Sequence, residues 1–282
     1  MKVYKTTKGI VIAENDVFYR VDSESWDTFM NRTHLFQRLT SEIKNLEPIS
    51  RFDSSTIMAP IESQEIWASG VTYMRSREAR MEESKKAGGD TFYDKVYDAE
   101  RPELFFKALA NRTVGTNDYV NIRKDSKWDV PEPELTLWIS SKGTIEGYTV
   151  GNDMSSRSIE GENPLYLPQA KMFERCAGLG PCVYVTESPI DPKTKIEIEI
   201  LRENKQVFYG TVPISNMKRR HAELVEFLFR ECDFPYGCYL MTGTGIVPPD
   251  DFTLQPNDEI RITIGHIGTL VNTVAYKLES SI

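Results

Sequence analysis

Short apolar blocks and apolar/polar alternations dominate this chain, and they predict more strands than helices. Near the N-terminus they give strands at Val3-Tyr4, Gly9 to Ala13 and Val17 to Val21. The period then lengthens: Trp26, Phe29, Phe36, Leu39 and Ile43 share one side of a helix over residues 26–45. A connector from Ser50 to Pro60 follows, so residues 1–60 read as a small α+β unit ahead of a larger domain over 61–282. In that domain the pattern predicts strands at Ile66 to Tyr73, Pro102 to Lys107, Tyr119 to Ile122, Pro181 to Val185, Lys195 to Arg202, Gln206 to Tyr209, Leu240 to Thr242, Glu259 to Gly265 and Ile267 to Leu278. Glu203-Asn204 is a hairpin turn between two of them. Helices are few. Arg75 to Lys86 is charged and ends at Gly88-Gly89-Asp90, which suits a mobile lid or an ordinary solvated helix. Phe92 to Tyr97 reads as a short helix. Asn216 is placed to cap a helix from about Met217 to Cys232, with Leu224, Val225, Leu228 and Phe229 as its buried stripe. Pro164 to Pro168 is too proline-bound for regular structure. The fold class is α+β and β-rich.

One hairpin carries candidate chemistry. Glu132 and Glu134 are two apart, so on a strand both side chains point to one face. Leu135, Leu137 and Ile139 continue the strand, Ser140 to Gly143 is a turn signal, and Thr144 to Val150 is a second strand. With Lys142-Gly143 as the central turn residues, paired residue numbers sum to 285 and residue 132 faces residue 153. Glu132, Glu134 and Asp153 then converge. Three close carboxylates repel one another unless a cation sits among them. An all-oxygen donor set without His or Cys points to Mg²⁺, with Mn²⁺ or Ca²⁺ as substitutes. The competing reading is a solvated acidic hairpin.

Composition narrows the class. The 282 residues carry 27% charged and 40% hydrophobic side chains, as soluble globular proteins do. A net charge of −8 argues against nucleic acid or an anionic membrane as partner, and leaves a small anionic substrate open. No apolar run reaches the length of a membrane span, and the N-terminus lacks a signal-peptide core. The four cysteines have no C-x-x-C spacing and read as reduced thiols of a cytoplasmic protein. None of the three histidines lies in the acidic stretch, which disfavours a zinc hydrolase.

Several dispersed segments resemble, in order, the fumarylacetoacetate hydrolase superfamily. They are Gly70-Val-Thr-Tyr73, Pro102-Glu-Leu-Phe-Phe-Lys107, Glu132-Pro-Glu134, Gly151-Asn-Asp-Met-Ser-Ser-Arg157, Thr242-Gly-Thr-Gly245 and Ile267-Gly-Thr-Leu270. The resemblance runs from about Ile66 to Val274 and implies a β-rich fold with Mg²⁺ held by Glu132, Glu134 and Asp153. FYDKVYDAERPELFFKALANR, WDVPEPEL and ENPLYLPQAK are most similar to the branch that dehydrates 2-keto-3-deoxy sugar acids such as 2-keto-3-deoxy-D-arabinonate. Hydrolases of the superfamily usually carry a histidine where this chain has Ser76, and often Gln where it has Glu160. Both departures favour dehydration over acylpyruvate or diketo-acid C–C hydrolysis. A non-catalytic metal- or metabolite-binding scaffold is the third reading.

The resemblance implies a 2-keto acid chelated through its carboxylate and keto oxygen, loss of a C3 proton, and departure of the C4 hydroxyl as water, with no redox cofactor. For a 2-keto-3-deoxypentonate the product is 2,5-dioxopentanoate. Lys171 is the first candidate for proton transfer and Glu103 the second, with their roles interchangeable at this point. For Glu103 the bland reading is an ion pair with Lys107 or Arg101. Arg157 is a candidate for the metal ligands or the substrate's anionic end, against a structural salt bridge. Thr244 is a candidate carboxylate donor, and Arg77 and Glu78 are candidates for distal hydroxyls. The family also implies a homo-oligomer.

Overall fold

The computed structural model describes residues 1–21, 25–84 and 95–278. The strands β1 (Lys2–Thr6), β2 (Gly9–Glu14) and β3 (Val17–Val21) form an antiparallel meander. The predicted helix over 26–45 is instead two, α1 (Trp26–Met30) and α2 (Leu35–Glu42), followed by a 3-10 turn at Ile43–Asn45. Long-range contacts break it. Asn31 donates to the Pro235 carbonyl (2.8 Å) and accepts from the Ser141 amide (2.8 Å), and His34 takes the left-handed conformation at φ 56°. The orphan amides of His34 and Leu35 are met by the Glu146 carboxylate at 3.2 and 2.9 Å.

Next come β4 (Glu65–Gly70), α3 (Met74–Ser84), β5 (Glu103–Leu109), β6 (Thr113–Val114), β7 (Asp118–Ile122), β8 (Asp129–Val130), β9 (Pro133–Ile139), β10 (Ile145–Asp153) and β11 (Ser155–Ser156). The strand expected to reach Tyr73 stops at Gly70, because Val71 turns to φ 54°. The Gly88-Gly89-Asp90 break, and residues 92–94 of the helix expected after it, lie outside the described residues. The proline-bound segment is regular after all: a 3-10 turn at Pro164–Tyr166 follows α4 (Arg157–Glu162) and leads into α5 (Leu167–Lys171). Both prolines sit in first turns, where no amide is needed, and Asn163 caps the Leu165 amide at 2.9 Å.

The chain continues through β12 (Ala177–Tyr184), β13 (Lys195–Arg202), β14 (Lys205–Pro213), α6 (His221–Phe229), β15 (Cys238–Met241), β16 (Glu259–Ile264) and β17 (Gly268–Tyr276). Glu203 and Asn204 both have positive φ, at 51° and 60°, as a tight hairpin turn requires. Asn216 does not cap α6. It ends a 3-10 turn, and Glu223 reaches back to the Arg220 amide four residues later. Leu224, Val225 and Leu228 are buried as expected.

The large sheet runs β3-β2-β1-β12-β10-β9-β15-β4-β5, with β6 beside β12, and a second sheet runs β14-β13-β16-β17-β7. Leu135, Leu137 and Ile139 of β9 pack with Ile196, Ile198, Ile260 and Ile262 between the two sheets. Trp138, on the opposite face of β9, packs with Trp26, Phe29, Leu35 and Leu39 of the helices covering the other side. Strand β9 is therefore buried on both faces, which explains its run of apolar residues. Residues 1–60 join the large sheet through β1 and β12 and share that outer core with Ile66, Leu179 and Met241.

Asp129, on β8 where it pairs with β11, is 4% exposed, and its Oδ1 has no hydrogen-bond partner among the described residues. Burial lifts its carboxyl to about 6, only partly offset by the Ser126 hydroxyl and the Arg123 backbone. The folded state therefore holds this proton more tightly than the unfolded chain, and stability falls as pH rises from about 4 to about 6. Asp129→Asn should raise stability at pH 8 by roughly 2 kcal/mol and by less at pH 5. Urea unfolding at the two pH values checks this; a variant less stable at pH 8 would mean the charged carboxylate makes a favourable contact.

Candidate active site

The hairpin has the register the sequence implied, by an unexpected route. At its tip Ser140 faces Thr144 and Ile139 faces Ile145, one residue out of the expected register. A bulge at Glu146 corrects the offset, so Gly147 faces Trp138 and the pairing holds from there to Asn152 and Pro133. Glu132 and Asp153 close the ladder with reciprocal backbone hydrogen bonds of 3.2 and 3.0 Å. The bulged residue is the same Glu146 that caps α2.

Because β10, β15 and β4 run the same way and β9 and β5 run against them, five strand ends meet at one edge of the sheet. They bring together Asp153, Gly243 just past β15, Gly70, Glu132 with Glu134, and Glu103. Ligand atoms of Glu132, Glu134 and Asp153 lie within 4.8 Å of one another, and the residues are 5%, 1% and 0% exposed. Their donor set is all oxygen, and the buried Asp153 Oδ1 accepts no well-directed hydrogen bond from the described residues. A hard divalent cation fits such a site. Burial, then the charges of Asp153 and Glu132, push the Glu134 carboxyl well up, against the pull of Lys171 and the Gly243 amide. Burial also opposes ionisation of Asp153, but Lys107 and Lys171 outweigh it and hold that carboxyl below the usual range.

Three cations serve the carboxylates. Lys171, fully buried at the end of α5, donates to Glu132 Oε2 (2.7 Å), Asp153 Oδ2 (3.0 Å) and Ser155 Oγ (2.6 Å). Lys107 Nζ lies 2.6 Å from Asp153 Oδ1, and Arg157 reaches Glu132 Oε1 at 3.3 Å. The backbone amide of Gly243 donates to Glu134 Oε2 at 2.5 Å. Its φ of 93°, and a Cβ position that would fall 2.0 Å from Thr72 Oγ1, demand glycine.

Glu103 borders this cluster. Its Oε2 is buried without a hydrogen-bond partner among the described residues, and its carboxylate leans so closely over Gly70 that a Cβ there would lie 2.0 Å away. The ion pairs considered for it do not form: Lys107 turns to Asp153, and Arg101 lies over the Phe227 ring. Thr244 lines the cavity, but its hydroxyl is engaged with the Ile246 carbonyl (3.1 Å) and amide (3.2 Å). Arg77 and Glu78 are not brought to the site; Arg77 lies over Tyr97 and Glu78 pairs with Arg75 at 3.5 Å. Ser76 does line the cavity, held by the Tyr73 carbonyl (2.7 Å) and amide (3.2 Å). No histidine reaches it: His34 sits at the start of α2, His221 faces Tyr148, and His266 stacks on Tyr184. With Lys171 seated among the carboxylates, the cavity between them is about 10 Å³.

Ser155 and the Gly243 amide carry no separate signal in the sequence, and Lys107 enters there only as a possible partner of Glu103. Lys107 shares its strand parity with Glu103 and Phe105, and that was the available signal.

The fumarylacetoacetate (FAA) hydrolase C-terminal family profile matches residues 66–275. A 2-dehydro-3-deoxy-D-arabinonate dehydratase of Saccharolobus solfataricus is 38% identical over 97% of this chain and 96% of its own. A probable 2-keto-3-deoxyxylonate dehydratase of Haloferax volcanii is 49% identical over 76% of this chain and 73% of its own. A solved 2-keto-3-deoxy-D-arabinonate dehydratase, complexed with magnesium and 2,5-dioxopentanoate, superposes with a TM-score of 0.83 at 34% identity, over 99% of this chain and 100% of that one. No helix among the described residues is long and apolar enough to cross a membrane.

Proposed function

Because this chain belongs to the fumarylacetoacetate hydrolase family, we propose that it is a divalent-metal-dependent dehydratase of a 2-keto-3-deoxypentonate, forming 2,5-dioxopentanoate and water. One observation carries the reading beyond the family: the carboxylate cluster is served by a buried lysine, with Ser76 and no histidine beside it. A hydrolase of this kind needs a base to activate water. A dehydratase needs groups that remove a carbon-bound proton and protonate a hydroxyl.

Glu132, Glu134 and Asp153 would hold Mg²⁺, or Mn²⁺ or Ca²⁺ in its place, and the ion would supply Lewis-acid polarisation of the 2-keto acid. Lys171, once it has given up its own proton to solvent and stands as the neutral amine, would take the C3 proton. The electron pair left behind forms the C3–C4 double bond as the C4–O bond breaks, and Glu103 protonates the departing hydroxyl. A proton then passes from C5 to C3, and the hydroxyl proton of the resulting enol to C4, which leaves the aldehyde. Arg157 and the turn made by Gly243, Thr244 and Gly245 are assigned to the substrate's carboxylate end. Arg77 and Glu78 would serve distal hydroxyls only after a movement of α3. The xylonate and arabinonate names of the relatives are compatible with one substrate. The two sugar acids differ at C2 and C3, which become a ketone and a methylene, so only C4 remains a stereocentre.

Incubation with a 2-keto-3-deoxypentonate and with an acylpyruvate tests the assignment. Semialdehyde from the first supports it; pyruvate from the second, with no semialdehyde from the first, makes the protein a hydrolase. Inertness toward both with Mg²⁺ present would favour the non-catalytic reading. Gly70→Ala tests Glu103 separately. The new methyl displaces a flexible carboxylate, so kcat should fall by about 10- to 100-fold with little loss of thermal stability; an unchanged kcat would remove Glu103 from the reaction.

We further place the protein in the cytoplasm, supported by its four free cysteines. A homo-oligomer is supported by exposed Val207 and Tyr209 on β14, the outer strand of the second sheet. Residues 1–60 are proposed as a supporting unit and 61–282 as the catalytic one.

A further inference from the structure

We propose that Lys107 is a positioning residue that locks Asp153 and Lys171 into one rigid unit. The inference rests on the dehydratase reading above, in which Asp153 holds the metal and Lys171 moves the proton.

Lys107 is fully buried, and its ammonium makes one ion pair and two hydrogen bonds. Nζ lies 2.6 Å from Asp153 Oδ1 and donates to the Met154 carbonyl at 3.0 Å and the Lys171 carbonyl at 2.5 Å. These partners belong to two elements distant in sequence. Met154 directly follows the end of β10, and the Lys171 carbonyl is one of the orphan acceptors at the end of α5. Charge balance alone would require only the contact with Asp153. The two carbonyl contacts add something else: they fix the main chain that carries Lys171 relative to the main chain that carries Asp153.

The position of Lys107 in its strand supports the same conclusion. The pairing of β4 with β5 slips between Ile66–Ala108 and Trp67–Phe106, so Lys107 is the extra, bulged residue. A bulge re-aims a side chain, here toward the carboxylate cluster. The Phe173 ring, 5.7 Å from Nζ, covers the ammonium. Lys171 differs in kind. Its ammonium bonds side chains, namely Glu132, Asp153 and Ser155, and it can leave them without disturbing the backbone.

Productive proton transfer requires its groups to be held within a fraction of an ångström. Loss of Lys107 should therefore reduce kcat more than it affects either ligand. The test uses the full-length protein carrying Lys107→Gln, Lys107→Arg or Lys171→Met. Thermal melting reports folding, calorimetric titration with Mn²⁺ reports metal binding, and steady-state kinetics separate kcat from KM. For Lys107→Gln the expected result is Mn²⁺ affinity equal to wild type or tighter, KM within about threefold, and kcat lower by about 100-fold at saturating metal. Lys107→Arg, which keeps the charge and donors, should recover about tenfold of that loss.

A folded Lys107→Gln with kcat within about threefold of wild type would overturn the proposal. So would a kcat deficit that excess metal cancels, or loss of folding in both Lys107 variants, which would assign the residue to stability alone. Lys171→Met separates the two levels. If it keeps full turnover, the underlying assignment of Lys171 fails. If it is inactive while Lys107→Gln is fully active, only the positioning role falls.

Discussion

Lys171→Met should abolish turnover and, at the same time, tighten metal binding. Both effects follow from where the ammonium sits. It bridges Glu132 and Asp153 at 2.7 and 3.0 Å, so an incoming dication meets a positive charge already on two of its three carboxylates. Unit charges about 4 Å apart interact by about 4 kcal/mol at an effective dielectric of 20. Structural relaxation and incoming water consume part of that, which leaves an expected gain in affinity of about tenfold. Loss of a group that accepts the carbon-bound proton should lower kcat by about 1,000-fold. Calorimetric Mn²⁺ titration and steady-state kinetics check the pair of effects. Weaker metal binding in the folded variant would make Lys171 a support for the carboxylates rather than their competitor.

Glu134→Gln should lower metal affinity by about 100-fold or more and reduce turnover accordingly, without destabilising the metal-free protein. Glu134 is held by the Gly243 amide, a donor that a glutamine carbonyl can also satisfy. Burial and two neighbouring carboxylates already make its negative charge costly. The neutral variant should therefore melt at the same temperature as the metal-free wild type or higher, while Mg²⁺ no longer raises that temperature. Thermal melting with and without Mg²⁺ measures this directly. A variant still stabilised by Mg²⁺ as strongly as wild type would exclude Glu134 from the metal site.

The site was legible where chemistry and local periodicity coincided. Glu132 and Glu134 share a face because strand periodicity is two, and their meeting with Asp153 followed from the turn between them. The same register was nevertheless reached through a compensating pair: a turn displaced by one residue and a bulge at Glu146 that restores the pairing. Glu146 bulges while its carboxylate caps α2, more than a hundred residues earlier in sequence. No local pattern announces such a contact. The break between α1 and α2 has the same origin, since Asn31 is held by Ser141 and Pro235. The sequence suggests Lys107 only as a partner for Glu103, because a lysine in a strand is ordinarily solvent-exposed. Only the fold shows that a bulge turns it inward onto Asp153. The proline-bound segment misled for a different reason: proline ends helices but also begins them, and here both prolines occupy first turns.

The most direct test is proton NMR of a 2-keto-3-deoxypentonate incubated in D₂O with the metal-stripped protein, before and after addition of Mg²⁺. Without metal no conversion is expected, and after addition the expected result is complete conversion to 2,5-dioxopentanoate carrying deuterium at C4, where the exchangeable enol hydroxyl delivers its proton, with no pyruvate. Conversion by the verified metal-free protein, or pyruvate as the product, would contradict metal-dependent dehydration.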